Sequence, residues 1–406
     1  MNYLFIHQNF PAQFLHLIRH LVAEGTHGIV FISEPNDNAI AGVRKVAYRM
    51  PERPQSNAHR DAQEFEQAVL RAEIVARTAA NLKQLGFTPD IIIGHHGWGE
   101  LLNIRDVWPD APLLGYYEFF YGLDGLDVGF DPEFPTDPGQ YARIRAKNTV
   151  NLLALNNGGH GQTPTLFQHG TYPAWARPGI TVLPEGVNLD KCRPDPAASA
   201  REFVLGDIRV EPGEKLVTYV ARDLEPYRGF HIFMRALPRL LRARPDLRVV
   251  LVGGDGVSYG ARLANGSWRQ YMLAQLGDAI DLARVHFAGR VDYEDYVRLL
   301  QRSDAHVYLT YPFVASWSMR EALACGCAVV GSDTAPVREF IADRQTGLLA
   351  PFLEPDSVAD RVLEVLEDTA LSRRLRQAAR GWAEANLDMG AYIAAYQALI
   401  DTAIGG

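Results

Sequence analysis

Short β-branched runs alternate with longer stretches of three-and-four apolar spacing along nearly the whole chain. That alternation predicts parallel sheets wound with helices. In the first half, Tyr3–Ile6, Gly28–Ile32, Ile91–Gly94, Leu113–Tyr116 and Asn151–Leu155 read as strands. Phe14–Val22 and Phe65–Leu85 carry helical apolar periodicity between them. The Gly, Asp, Pro and Phe content of Asp124–Pro138 denies that segment regular structure, and so long a loop in a compact domain usually serves function. A strand at Ile180–Leu183 closes the half.

A second series follows, with strands expected at Lys215–Val220, Arg248–Val252, Val285–Phe287, His306–Leu309 and Ala328–Gly331. Helical patterns alternate with them at Phe230–Arg242, Trp268–Leu276, Tyr293–Gln301 and Met319–Ala324. Three more, Ser357–Glu367, Leu371–Ala385 and Gly390–Ala403, finish the chain with no strand between. Pro184-Glu-Gly-Val-Asn-Leu-Asp and the proline-spaced Cys192-Arg-Pro-Asp-Pro196 read as a hinge. The expected organisation is an α/β chain of two Rossmann-like domains, 1–183 and 197–385, joined by a linker at 184–196. A terminal helix at 386–406 returns to the first domain. Ligands of such sheets bind beyond the carboxyl ends of the strands, so the loops after strands are the informative ones.

The 406 residues fit two domains. A net charge of −8 argues against sequence-independent binding to nucleic acid. Three cysteines form no zinc spacing, and Cys325-Gly-Cys327 is too tight for an ordinary structural disulfide, so a reducing cytoplasm is expected. No apolar run reaches transmembrane length, and the chain opens directly on a strand without a basic leader.

Candidate chemistry concentrates in the second half. Val220-Ala-Arg222-Asp-Leu-Glu-Pro-Tyr-Arg228-Gly229 puts two arginines beside a strand end, where planar, permanently charged donors suit a diphosphate. On spacing alone, a pair of surface arginines explains them as well. Tyr311-Pro-Phe313-Val-Ala-Ser316-Trp-Ser318-Met319-Arg-Glu321 places a polar loop before a helix, and its free N–H groups form an anion site. Glu321 could accept a sugar's vicinal hydroxyls, or Ser318-x-x-Glu321 could be a capping box and nothing more. Gly253-Gly254-Asp-Gly after a strand allows close backbone approach but is weak as a dinucleotide fingerprint. Gly289-Arg290-Val291, between strand and helix, carries little specificity alone.

Taken in order, these pieces resemble the retaining glycosyltransferases of family 4, which have the GT-B fold. In that family an Arg, five residues, a Lys and a Gly precede a Gly-Gly turn, a Gly-x-Val base contact and a Glu-x7-Glu helix ending in Cys-Gly. This chain supplies Arg222, Arg228-Gly229, Gly253-Gly254, Gly289-Arg290-Val291 and Glu321 before Ala324-Cys325-Gly326. Asp333-x5-Glu339 and Thr346-Gly347-Leu348-Leu349 match trailing elements, and Pro184-Glu-Gly-Val-Asn resembles the connector. The likeness covers 180–385 well and the first half more loosely.

The resemblance implies a hexosyltransferase using a UDP- or GDP-sugar as substrate, with no cofactor and no metal. Arg222 and Arg228 would hold the diphosphate with Ser316, Ser318 and Met319 at the helix start. Glu321 would bind the nucleotide ribose, with Gly253, Gly254, Arg290 and Val291 completing the donor site. A glycan, lipid-linked or small-molecule acceptor is expected, and a peripheral seat at the inner face of the cell membrane is compatible. Three departures stand out. Phe313 occupies the position of the first acid of Glu-x7-Glu, Arg228 replaces Lys, and His7-Gln8-Asn9-Phe10-Pro11 replaces a glycine-rich loop.

On the acceptor side, His95-His96-Gly-Trp98-Gly-Glu100 and Tyr116-Tyr-Glu118 follow strands. His95 and Glu118 are the candidates there, against packing roles for both. Two rivals remain: a nucleotide-sugar 2-epimerase, which lacks the Arg-x5-Lys/Arg and Cys-Gly pattern, and a non-catalytic nucleotide-sugar-binding protein.

Overall fold

The computed structural model describes residues 1–52 and 56–405. The chain divides into two compact units, one holding residues 1–185 with the C-terminal segment from Gly390, the other Gly186–Met389.

In unit 1 the strands among the described residues are β1 Asn2–Ile6, β2 Gly28–Ser33, β3 Val43–Ala47, β4 Ile91–His95, β5 Leu113–Tyr116, β6 His160–Thr163 and β7 Ile180–Val182. They form one sheet in the order β3-β2-β1-β4-β5-β6-β7, every pair parallel. Central strands are buried on both faces, so they read as continuous apolar runs. Leu4, Ile6, Ile32 and Ile92 form one core with Val75, Ala79 and Leu82 of the helix Gln63–Gln84. The helix Met389–Gly405 belongs to this unit, where Gln397 meets His20 at 3.1 Å.

The strand expected at Asn151–Leu155 is instead the end of a helix, Tyr141–Asn156. Its buried residues are Asn148, Val150, Asn151 and Ala154, whereas Leu152 and Leu153 point outward. The apolar residues that suggested a strand lie on the wrong face of the helix. The buried asparagines clamp a loop: Asn148 exchanges hydrogen bonds with the Tyr121 N–H and carbonyl at 2.8 and 2.7 Å, and Asn151 donates to the Phe119 carbonyl at 2.9 Å.

Unit 2 opens on a short antiparallel hairpin, β8 Phe203–Leu205 and β9 Ile208–Val210. Its main sheet comprises β10 Lys215–Asp223, β11 Leu247–Gly254, β12 Val285–Gly289, β13 Ala305–Tyr308, β14 Val329–Ser332 and β15 Leu348–Ala350. The order is β12-β11-β10-β13-β14-β15, again parallel throughout. Both sheets reverse winding direction beside their first long strand, at β1/β4 and at β10/β13, which is where α/β sheets bind ligands.

The expected linker is not a loose tether. Val187 and Cys192 are buried in the unit 2 core with Met319, Cys325 and Cys327, and the Arg380 guanidinium binds the Cys192 carbonyl at 2.8 Å. None of the described helices is long and apolar enough to cross a membrane.

Candidate active site

At the carboxyl end of β10, a cavity of about 390 Å³ is lined by Val220, Arg222, Val252, Gly253, Arg290, Val291 and Tyr296, with Ala221 between. Four expected site residues, Arg222, Gly253, Arg290 and Val291, therefore meet on one surface. Gly254 lies behind them. A Cβ there would come within 2.6 Å of Asp223 Oδ1 and 3.2 Å of Arg290 Nε, so a side chain would displace the Arg290 guanidinium.

Glu321 does not itself line this cavity and is tied to it through Tyr296, which does. Its Oε2 accepts from the Tyr296 hydroxyl and its Oε1 from the Tyr293 hydroxyl, each at 2.8 Å. Burial raises the Glu321 carboxyl above its ordinary value, and the two phenols partly offset that. The capping-box alternative is not realised. The helix runs Trp317–Ala324 from an N-cap at Ser316 without a side-chain cap, and the Glu321 carboxylate is engaged by tyrosines instead. Ser316 and Ser318 hydrogen-bond each other at 2.5 Å, and Met319 sends its side chain into the core. None of these three lines the 390 Å³ cavity.

Of the two arginines expected to hold the diphosphate, Arg222 is exposed and Arg228 is buried. Its Nη1 donates to Thr310 Oγ1 and to the Val314 carbonyl, both at 2.8 Å, and its guanidinium lies 4.9 Å from the Tyr259 ring centre. Phe313 explains the environment. It is buried against Tyr227 and Tyr259, and Tyr227 stacks on Tyr311 at 4.6 Å. The position that carries an acid in the resembled pattern is here one ring of an aromatic cluster that covers Arg228.

Sequence reasoning missed the two acids between the arginines. Asp223 accepts from Ser258 Oγ at 2.5 Å and pairs with Arg290 at 3.4 Å. Glu225 is fully buried and receives the backbone N–H groups of Ser258, Tyr259 and Gly260 at 3.0, 3.2 and 2.9 Å. Burial raises its carboxyl, and those three donors counter the rise. The signal was present as Asp-Leu-Glu directly after Arg222. Together the two acids fold the loop after Gly254 back over the strand ends.

In unit 1, the carboxyl ends of β1, β4 and β5 bring His7, His95 and Glu118 together. The buried His95 accepts the Gly97 N–H on Nδ1 at 2.9 Å, which puts the proton of the neutral ring on Nε2. That Nε2 faces Glu118 Oε2 at 3.6 Å. The His7 ring stands edge-on to His95 at 5.3 Å, and burial pushes the His7 pKa well down. The Glu118 carbonyl is held by Gln168 Nε2 at 2.8 Å. His96 is a packing residue: it lies 4.6 Å from the Tyr117 ring, and burial pushes its pKa down to about 3.

Residues 25–192 match the glycosyl transferase family 4 group, and residues 202–382 match the glycosyl transferases group 1. The chain belongs to glycosyltransferase family 4.

Among family relatives, the D-inositol 3-phosphate glycosyltransferase of Streptomyces avermitilis is 30% identical over 209 residues, 50% of this chain and 43% of that protein. The phosphatidyl-myo-inositol mannosyltransferase of Mycolicibacterium smegmatis is 30% identical over 162 residues, 39% of this chain and 37% of that protein. The matches thus span less than half the length of these curated relatives. Over the whole chain the fold is that of GT-B glycosyltransferases. Sucrose-phosphate synthase from Thermosynechococcus elongatus superposes with a TM-score of 0.74 at 18% identity, covering 99% of this chain and 98% of that one. Anabaena HepE in complex with UDP-glucose gives 0.66 at 17% identity, covering 99% of each.

Proposed function

We propose that this family 4 chain transfers a hexose from a UDP- or GDP-sugar to a glycan, lipid-linked or small-molecule acceptor, with retention at the anomeric carbon. The observation that carries the reading is the unit 2 cavity. It combines an exposed arginine at a strand end, a glycine floor and a second arginine beside Val291, with Glu321 oriented by two tyrosines. The named relatives and the UDP-glucose complex of HepE support a nucleotide-sugar donor.

In this reading Arg222 binds the diphosphate, aided by the N–H groups at Ser318 and Met319, while the Ser316 N–H is given to the Tyr308 hydroxyl at 2.8 Å. Arg290 and Val291 meet the base, Gly253 and Gly254 admit the nucleotide to the backbone, and Glu321 accepts the ribose hydroxyls. Arg228 acts by shaping the Thr310–Val314 turn rather than as a free ligand. His95 and Glu118 serve the acceptor, with Nε2–H and carboxylate available to orient a hydroxyl.

The C1–O bond to the diphosphate breaks while the acceptor oxygen bonds C1 from the same face. The acceptor proton passes to the departing phosphate oxygen. Fixed positive donors stabilise the charge growing on that phosphate. Buried free thiols at Cys192, Cys325 and Cys327 suit a reducing compartment, and we place the protein in the cytoplasm. Exposed Leu166 and Trp175 on unit 1 offer an apolar contact for a peripheral seat at a membrane.

The test is turnover. Purified chain incubated with UDP- and GDP-hexoses and candidate acceptors should release free nucleotide in step with a glycoside whose anomeric proton coupling matches the donor. Conversion of the nucleotide sugar without transfer would identify an epimerase. Binding without either product would identify a carrier.

A further inference from the structure

Unit 2 carries a second cavity at the opposite end of its sheet, of about 500 Å³. Lys215, the first residue of β10, and Asp304, just before β13, form one wall. The facing wall is the helix Thr369–Asn386, whose Thr369, Ser372, Arg373 and Arg376 share one face at helical spacing. Lys215 and Arg222 lie seven residue steps apart along β10, about 23 Å at the rise of a parallel strand. The two cavities are therefore separate sites.

The lining holds four cationic side chains, Lys215, Arg302, Arg373 and Arg376, against two carboxylates, Asp195 and Asp304. One of those carboxylates, Asp195, is also taken up by Arg201, outside the lining. This local positive excess sits in a chain of net charge −8. Asp304 orients Lys215 at 3.3 Å and Arg302 at 2.8 Å. Arg376 is held by main-chain carbonyls, those of Gly326, Ser303 and Asp304. Those contacts fix its position and leave its charge uncancelled. Arg302 has a side chain only 1% exposed, and its Nε makes no hydrogen bond among the described residues.

Fixed guanidinium groups of this kind suit the oxygens of a phosphate. Hydroxyls of Ser199, Thr369 and Ser372 stand near them, with Val365 and Leu366 as a small apolar floor. The lining contains no aromatic ring on which a nucleobase would stack. The volume is in the range of small-molecule sites. We propose that this cavity binds a small phosphorylated metabolite, a sugar phosphate or comparable phosphomonoester, independently of the nucleotide site.

Calorimetric titration of the full chain with glucose 6-phosphate and with glycerol 3-phosphate, in phosphate- and sulfate-free buffer, tests this. At least one should bind saturably. Arg373→Glu, at an exposed position, and Ser372→Asp should each weaken that binding at least tenfold, whereas Arg222→Ala should change it less than twofold. The proposal is overturned if neither compound binds, if binding survives both cavity substitutions, or if Arg222→Ala abolishes it. The last result would assign the phosphate to the nucleotide cavity. Loss of UDP- or GDP-sugar binding in Arg222→Ala, read separately, tests the transferase reading alone.

Discussion

A carboxylate can accept about four hydrogen bonds, and the two tyrosine hydroxyls at Glu321 use two of that capacity. The remainder suits vicinal hydroxyls, and the tyrosines fix the direction in which it points. Tyr296 lines the cavity and is itself buried, so Tyr296→Phe removes one orienting donor without opening much space. We expect it to raise the KM for nucleotide sugar several-fold with a smaller effect on kcat, read by steady-state kinetics. Arg222 is different, since its exposed guanidinium has no role in closing the fold. Losing a charge-assisted hydrogen bond is worth about 1.5–3 kcal/mol, so Arg222→Ala should weaken donor affinity about 10- to 100-fold while leaving the melting temperature nearly unchanged. Phe313 belongs to the aromatic cover over Arg228. Restoring an acid there, Phe313→Glu, buries a charge among rings, and differential scanning fluorimetry should show a marked loss of stability.

At the scale of elements, the aromatic loop that carries Glu118 depends on two asparagines, Asn148 and Asn151, that a helix buries beside Val150 and Ala154. Asn151→Ala removes a buried hydrogen bond to the Phe119 carbonyl and should cost about 1–3 kcal/mol in urea unfolding. Leu152→Glu, on the exposed face, should stay within about 0.5 kcal/mol of wild type. This inversion shows what the sequence could and could not reveal. Central strands such as Leu4–Ile6 and Val249–Val252 announce themselves because burial on both faces demands unbroken apolar runs. β3, with partly exposed Val43–Ala47, and β6, spelled His-Gly-Gln-Thr, carry no such run and went unread. The Tyr141–Asn156 helix was misread because its hydrogen-bonding asparagines look like surface residues. In the site, Arg222, Gly253 and Arg290 were legible from position after strands. The burial of Arg228 was not, since it follows from Tyr259 and Phe313 closing over it from distant loops. Asp223 and Glu225 lay in plain view, but their partners lie more than thirty residues away: the Ser258 hydroxyl and Arg290 for Asp223, main-chain N–H groups of Ser258–Gly260 for Glu225.

For the whole molecule, the presence of two units governs how stability responds to pH. His96 in unit 1 and His306 in unit 2 are fully buried, and burial lowers each to about 3. An unfolded histidine titrates near 6.5. Below that pH the unfolded chain takes up a proton that the folded chain refuses, so stability present above about pH 6.5 is lost as pH falls. The slope approaches about 1.4 kcal/mol per pH unit for each histidine. Because separate units need not unfold together, the effect should be followed on each transition. Between about pH 7 and pH 5 the urea midpoint of both transitions should fall. His96→Asn should flatten that pH dependence only in the transition of unit 1, and His306→Asn only in that of unit 2, whatever each substitution does to stability at neutral pH.

The claim on which the functional account rests is that the cavity at the end of β10 holds the donor. Equilibrium titration of the full chain with UDP-, GDP-, ADP- and dTDP-sugars addresses it directly, with Arg222→Ala and Glu321→Ala alongside. One nucleotide class should bind saturably to wild type, and both variants should bind it at least tenfold more weakly, Arg222→Ala with its melting temperature unchanged. If both variants titrate like wild type, the donor lies elsewhere and the site described here is not the one that binds it.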